Sequence, residues 1–184
     1  MMKWLAIHIF KWLGWQAVGD LPKGVDKMVL VVAPHTSSWD LFYGLCTVFI
    51  KGIPAKFAIK KEVMFFPIGP ILKWFGAIPI DRSLVTHKHR QVDMMIDMLQ
   101  THAKLVLTIA PEGTRKYAPR WKTGFYYIAT HAQVPIALGF IDYQKKQAGI
   151  GPLYYPTGDV AQDMHNIQAF YKDKVAKYPA QGVH

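Results

Sequence analysis

The chain has 184 residues, of which 51% are hydrophobic and 18% are charged. This length and composition exclude a disordered segment and predict one folded unit with a single sizeable core. Twenty-two Lys and Arg against twelve Asp and Glu give a net charge of +10, which predicts an anionic partner: an acidic bilayer, an acidic carrier protein or nucleic acid. With Cys46 as its one cysteine, the chain forms no internal disulfide.

The first eighteen residues contain no acid, carry Lys3 and Lys11 and are rich in Trp. The segment is too short to span a bilayer, and Lys11 lies in its middle. On a helical wheel one face carries Met2, Leu5, Ile9, Trp12 and Leu13, and the other side or its flanks carry Lys3, Lys11, Trp4 and Trp15. This pattern predicts an amphipathic helix over residues 1–18 that lies at a membrane interface, where indole rings settle at headgroup depth. A helix packed against the protein's own core has the same periodicity, and the sequence favours neither alternative.

Residues 19–184 alternate between β-rich apolar runs and segments with helical periodicity. We predict strands over residues 28–33, 56–59, 76–80, 105–110, 135–141 and 147–154, and helices over residues 40–50, 66–75, 87–101, 122–131 and 163–177. Such alternation indicates a single α/β domain with a largely parallel, mixed sheet flanked by helices.

Three motifs place polar residues directly after predicted strands. They are Pro-His-Thr-Ser-Ser-Trp-Asp at 34–40, Gly-Ala-Ile-Pro-Ile-Asp-Arg at 76–82 and Ala-Pro-Glu-Gly-Thr-Arg at 110–115. In open α/β sheets, ligands bind at the carboxyl ends of the strands. The three motifs are therefore expected to converge.

The first motif contains a histidine and a carboxylate separated by four residues, His35 and Asp40. A carboxylate in the first turn of the following helix can fix the imidazole tautomer and stabilise the imidazolium, while the imidazole takes a proton from a hydroxyl. The chain has no Gly-x-Ser-x-Gly nucleophile elbow, so the hydroxyl would belong to the substrate. In isolation the same spacing is more often found in two residues that cap a helix, and it is the presence of the other motifs that favours the dyad.

The next two motifs supply phosphate-binding chemistry. Arg82 and Arg115 are forked donors, Gly113 allows close backbone approach, and Thr114 adds a hydroxyl. Glu112 can accept from a substrate hydroxyl or lock Arg115. Together with the first motif, this arrangement predicts an acyltransferase that acts on a phosphorylated alcohol.

A basic cluster follows the third motif. Arg120 and Lys122 belong to it, and no acid interrupts residues 115–122. We predict that these two side chains receive the phosphates of a coenzyme or the surface of an acidic carrier protein. A solvated basic surface is the ordinary alternative.

These three motifs and Val-Pro-Ile at 134–136 resemble, in order and spacing, the four blocks of the glycerolipid acyltransferase family, typified by 1-acyl-sn-glycerol-3-phosphate acyltransferases. The resemblance implies that His35 and Asp40 are the catalytic dyad of an HxxxxD motif, and that Arg82 and residues 112–115 bind the acceptor's phosphate. It implies a lysophospholipid acceptor and a coenzyme A or acyl-carrier-protein thioester donor, with no metal or other cofactor. It further implies a glycerol-3-phosphate-acyltransferase-like fold, attached as a peripheral protein to the cytoplasmic face of a membrane.

Two positions depart from the family pattern. Pro34 stands where many members have Asn, and Ala110 where many have Phe. These departures leave the acceptor open, so that a lyso-aminolipid or a remodelling substrate is an alternative to a glycerol phosphate. A non-catalytic lipid-binding protein of the same fold is a further alternative. A nucleic-acid-binding module is not expected, because no groove-reading helix or interleaved basic and aromatic surface is recognisable.

Overall fold

The computed structural model describes residues 2–80 and 85–183. Its helices are α1 (Met2–Leu13), α2 (Trp39–Lys51), α3 (Ile68–Trp74), α4 (Val85–Thr101), α5 (Gly124–His131) and α6 (Val160–Ala169), and its strands are β1 (Gln16–Val18), β2 (Lys27–Ala33), β3 (Ala55–Lys60), β4 (Ala77–Ile80), β5 (Leu105–Ile109), β6 (Ile136–Asp142) and β7 (Gln147–Tyr154). The predicted α/β class with a mixed, largely parallel sheet is confirmed.

The seven strands form one sheet in the order β1-β7-β6-β2-β5-β3-β4. All neighbouring pairs are parallel except β6 and β7, which form an antiparallel pair. Strand β2 lies at the centre between β5 and β6, and its run from Met28 to Val31 is buried on both faces. Because central parallel strands are buried on both faces, their sequences are continuous apolar runs.

Helices cover both faces of the sheet. The packing of α4 and α5 produces one core, which includes Leu99 and Phe125, while α1 and α2 pack on the opposite face around Phe10 and Cys46. The crossovers through α2 and α3 run in the same direction along the sheet, and right-handed crossovers then place α2 and α3 on the same face. The faces therefore carry α1, α2 and α3 on one side and α4 and α5 on the other.

The N-terminal helix is shorter than the predicted range of residues 1–18. Helix α1 ends at Leu13, Gly14 adopts a left-handed conformation, and Gln16–Val18 form β1 in parallel with β7. Ala6 and Phe10 are buried beside α2. One face of α1 thus belongs to the domain's own core, as in one of the two alternatives left open by the sequence.

The opposite face of α1 is exposed to solvent and combines large apolar side chains with Lys3, His8 and Lys11. Trp12 is 85% exposed, Trp4 is 64% exposed and Leu5 is also exposed. Such a surface fits the predicted membrane-interface role, which stays a prediction. Over the described ranges, no helix combines the length and the hydropathy that crossing a bilayer would require.

The last helix also differs from its predicted range, because α6 spans Val160–Ala169 and not residues 163–177. Asp159 caps its start by accepting from the backbone N–H of Gln162. Beyond residue 169 the chain is held by tertiary contacts: the hydroxyl of Tyr171 donates to the carbonyl of Val31 at 2.9 Å. A helix extended to residue 177 would be incompatible with this path towards the centre of the sheet.

Candidate active site

The three adjacent parallel strands β5, β2 and β6 end at the same edge of the sheet, and the candidate active site lies there. His35 follows β2, residues 112–115 follow β5, and Tyr143 follows β6. The predicted convergence of the first and third motifs is confirmed by this arrangement.

His35 and Asp40 contact each other directly. The His35 Nδ1 atom lies 3.1 Å from Asp40 Oδ2, and the Asp40 side chain is 2% exposed against 29% for His35. Because Nδ1 faces a carboxylate, we assign its proton to that nitrogen, which leaves Nε2 as the proton acceptor. The pair therefore has the geometry of a general base with an orienting carboxylate.

The Asp40 carboxylate is held by several donors at once. Its Oδ2 atom also accepts from the backbone N–H groups of Thr36 and Ser37, at 2.8 and 2.7 Å. Its Oδ1 atom accepts from the hydroxyl of Tyr143 at 2.6 Å. A carboxylate with this many donors has a fixed orientation. Both Asp40 oxygens are thus satisfied while the His35 ring is left exposed at the dyad's outer side.

Glu112 lies behind His35. Its side chain is buried, and Oε2 accepts from the backbone N–H of His35 at 2.8 Å. Among the described residues, no hydrogen-bond partner reaches Oε1. Burial raises the pKa of Glu112 to about 7, opposed by the hydrogen bond and charge of His35. Glu112 therefore positions the His35 backbone in this structure. The sequence predicted that Glu112 contacts either a substrate hydroxyl or Arg115, and the contact with Arg115 is not formed.

Gly113, Thr114 and Arg115 form the turn beside the dyad. Gly113 has a φ of +66°, a conformation that favours glycine, and a Cβ there would overlap the end of the Lys122 side chain. The Arg115 guanidinium donates to the hydroxyl of Ser38, at the start of α2. The sequence predicted that Lys122 contacts the acyl donor. In the structure it lies against the turn that is predicted to bind the acceptor.

A cavity of about 980 Å³ opens beside these residues. Its polar side includes His35, Ser38, Thr114 and Arg115. The rest of its wall is mostly apolar, with contributions from α2, β3 and β7: Leu41, Leu45, Val48, Phe57, Ile59 and Ile150. A volume of this size with a few convergent polar groups is typical of a site for a small amphiphilic molecule.

Among the described residues, the predicted binding residues Glu112, Arg120 and Lys122 do not line this cavity. Arg82 lies outside the described residues. Arg120 is exposed. Its contact with the acyl donor stays a prediction, and such a contact would lie on the outer surface of the protein.

Several residues that line or support the site were missed by the sequence analysis. Tyr143, Ser38 and Tyr178 are the main ones. Tyr143 had a usable signal, because it follows a strand end just as the three motifs do. Tyr178 had none, since the position of the C-terminal segment depends on contacts between distant parts of the chain.

Comparison with known families decides the class of this protein. The family model described as Acyltransferase matches residues 18–137, about two thirds of the chain. The chain belongs to the acyltransferase family. As an acyltransferase it is an enzyme, and the matched range contains His35, Asp40 and residues 112–115. The predicted family is confirmed by this match.

A solved structure shows the same fold. The 1-acyl-sn-glycerophosphate (LPA) acyltransferase PlsC from Thermotoga maritima superposes with a TM-score of 0.65 at 17% identity. The match covers 96% of this acyltransferase and 80% of PlsC. No curated protein sequence matches the chain.

Proposed function

We propose that this enzyme transfers a fatty acyl group from a coenzyme A or acyl-carrier-protein thioester to the free hydroxyl of a lysophospholipid. We propose 1-acyl-sn-glycerol-3-phosphate as the acceptor, which would place the enzyme in phospholipid biosynthesis. The observation that carries the proposal is the His35–Asp40 pair at the polar end of an apolar cavity, with Arg115 on the same wall. An amphiphile with an anionic headgroup and a long chain matches this combination.

The geometry of the dyad supports the following reaction. His35 Nε2 takes the proton of the acceptor hydroxyl as its oxygen attacks the thioester carbonyl carbon, and Asp40 stabilises the resulting imidazolium. The tetrahedral intermediate then collapses, the C–S bond breaks, and the thiolate leaves. The imidazolium returns its proton to the thiolate, so that an ester and a free thiol are formed.

Arg115 supports the choice of a phosphate-bearing acceptor. Its guanidinium is exposed on the cavity wall and is held at Ser38, beside the dyad. A forked donor at this place can bind two oxygens of one phosphate. We include Arg82, Gly113 and Thr114 in the same acceptor site, and propose Arg120 and Lys122 as contacts for the donor.

The basic charge and the exposed face of α1 support a peripheral location on an anionic membrane surface. A net charge of +10 attracts acidic headgroups, and Trp4 and Trp12 present indole rings to the outside. We place the enzyme on the cytoplasmic face, where coenzyme A and carrier-protein thioesters are formed.

The decisive experiment measures transfer of a radiolabelled acyl chain to a panel of lysolipids, with acyl-coenzyme A and acyl-carrier protein tested in parallel. We expect transfer to lysophosphatidic acid and its loss in His35→Ala. Equal or better transfer to a lyso-aminolipid without a phosphate would contradict the proposed acceptor. Binding of lysolipid with no transfer from either donor would favour the non-catalytic alternative.

A further inference from the structure

An exposed apolar surface surrounds helix α3, and the catalytic chemistry does not use it. Phe66 is 85% exposed, Trp74 is 69% exposed, and Phe65, Ile68 and Ile71 are exposed as well. We call these five residues the α3 surface. Soluble proteins rarely present such a cluster of large apolar side chains without a partner.

Two features indicate what this partner is. Residues 63–80 contain no acid and one lysine, Lys73, in a chain of net charge +10. Val63, at the start of the same stretch, lines the cavity that contains His35. A partner with an anionic surface and an apolar interior, placed where an amphiphilic substrate enters, fits both features. A bilayer with acidic headgroups has these properties.

The position of α3 in the fold agrees with this partner. Helices α2 and α3 share one face of the sheet, and the rings of Phe49 in α2 and Phe75 after α3 are 5.6 Å apart. Helix α1 packs against α2 on this face and presents Trp4 and Trp12 outwards. Apolar surfaces thus occur on both sides of α2, the helix that begins beside the dyad.

We propose that the α3 surface is a bilayer-docking element, separate from α1, that inserts Phe66 and Trp74 into an anionic leaflet next to the cavity entrance. This proposal rests on the proposed function in one respect, since the identity of the entering lipid is taken from it. Two contacts on one face would hold the enzyme in a single orientation. Acceptor could then move from the leaflet to His35 without passing through water.

Fluorescence from a single label tests the insertion. In a Cys46→Ala background, Phe66→Cys and Tyr127→Cys are each labelled with an environment-sensitive fluorophore. Tyr127 is an exposed aromatic residue of α5, on the opposite face, and is the matched control. With vesicles of phosphatidylcholine and phosphatidylglycerol, we expect a blue shift and quenching by spin-labelled lipid at position 66 only. Absence of quenching at 66, or equal quenching at 127, would overturn the proposal.

Sedimentation with the same vesicles gives a second measurement. We expect Phe66→Ser/Trp74→Ser to weaken binding by about tenfold or more, while Tyr127→Ser has no such effect. A blue shift that grows with protein concentration in the absence of vesicles would instead show self-association through α3. Turnover of a short-chain soluble acceptor, measured on the same variants, is expected to be unchanged. If wild-type enzyme shows no turnover but position 66 is quenched, the proposed function fails and the docking element stands.

A second inference comes from an independent observation, the hydrogen bond from the Tyr143 hydroxyl to Asp40 at 2.6 Å. Tyr143 lies outside residues 18–137, the range matched by the family model. Its hydroxyl binds the carboxylate oxygen that His35 does not use. Burial, followed by the hydrogen bond to Asp40, raises the pKa of Tyr143 well above its usual value. The phenol therefore remains a proton donor to Asp40 at any physiological pH.

The turn that carries Tyr143 is held firmly in place. The preceding residue, Asp142, is fully buried and accepts from the backbone N–H groups of Gln144 and Lys145 through Oδ1. The Tyr143 N–H donates to the carbonyl of Val175 at 2.9 Å. A fixed turn allows the hydroxyl to hold Asp40 without a further loss of freedom.

Aromatic rings fix the orientation of the phenol. The Tyr143 ring meets Trp15 and Tyr43 edge to face, at centroid distances of 5.2 and 5.7 Å. Trp15 and Tyr43 are themselves stacked at 3.8 Å. We infer that Tyr143 is a positioning residue that acts through Asp40 and fixes the carboxylate towards His35.

Tyr143→Phe removes the hydroxyl and keeps the ring, and Tyr43→Phe is the matched control in the same aromatic cluster. We expect Tyr143→Phe to lower kcat by about tenfold, the effect of one hydrogen bond to a charged group, without changing KM. With one donor fewer, the Asp40 charge stabilises the His35 imidazolium more strongly, so the acidic limb of the rate profile should move to higher pH. Tyr43→Phe should leave both unchanged.

Three results would overturn the positioning role. The first is an unchanged kcat and pH profile in Tyr143→Phe, the second an equal loss in Tyr43→Phe, and the third a rise in KM alone. The NMR resonance of the His35 Nδ1 proton gives a readout without turnover, and it should shift in Tyr143→Phe. The activity of His35→Ala tests the dyad itself and does not involve Tyr143. Failure of the proposed function can therefore be distinguished from failure of the positioning role of Tyr143.

Discussion

We expect Glu112 to make the stability of this protein depend on pH, and Glu112→Gln to remove that contribution. The side chain is 6% exposed, and burial raises its pKa from the ordinary value of 4.5 to about 7. Between these two values the folded state binds a proton that the unfolded state does not bind. The contribution of this group to stability is therefore fully present below pH 4.5 and is lost as the pH rises through 7.

The size of the effect follows from the shift. One pKa unit corresponds to about 1.4 kcal/mol, so that ionising Glu112 in the folded state costs on the order of 3 kcal/mol. Most of this cost lies between pH 5 and pH 8. We expect the free energy of unfolding of the wild type to fall over that interval by about 2 to 3 kcal/mol more than that of Glu112→Gln.

Urea unfolding at pH 5 and pH 8 measures this difference directly. The Gln amide oxygen can still accept from the His35 N–H, so that the local structure is preserved. Glu62→Gln, a change at an exposed glutamate, is the control and should follow the wild type at both pH values. Parallel behaviour of Glu112→Gln and the wild type would refute the reasoning, because it would mean that the buried carboxyl is already ionised at pH 5.

Three further outcomes are expected. His35→Ala should lower turnover by about 10²- to 10⁴-fold with an unchanged melting temperature, and near-wild-type turnover would contradict the general-base role. Arg115→Ala should raise KM for a phosphate-bearing acceptor by about tenfold to hundredfold, as expected for one lost charge-assisted hydrogen bond, and a change in donor kinetics alone would move Arg115 to the donor site. Trp4→Ser/Trp12→Ser should weaken sedimentation with anionic vesicles and preserve transfer to a soluble short-chain acceptor; full vesicle binding would show that α1 is not an anchor. Point substitutions are the suitable test here, since Ala6 and Phe10 are buried and deletion of residues 1–18 would unfold part of the core.

The site was predictable from sequence where its residues follow strands. Parallel strands bring their carboxyl ends to one edge, so that the positions of His35 and Arg115 after strands were enough to predict that they meet. The burial of Glu112 was not predictable, because it depends on how the turn after β5 packs beneath the His35 backbone. The same residue types are equally compatible with an exposed turn.

By itself, the sequence determined the local structure: which segments alternate as strands and helices, where the polar motifs fall, and that the class is α/β. Periodicity and turn chemistry act within a few residues, and these features depend on nothing more. Only the tertiary structure decided what joins distant segments. Tyr143 reaches Asp40 across 103 positions, the segment after Ala169 turns towards Val31, and residues 16–18 become the edge strand beside β7. Such contacts depend on the order of strands in the sheet, which no local pattern encodes.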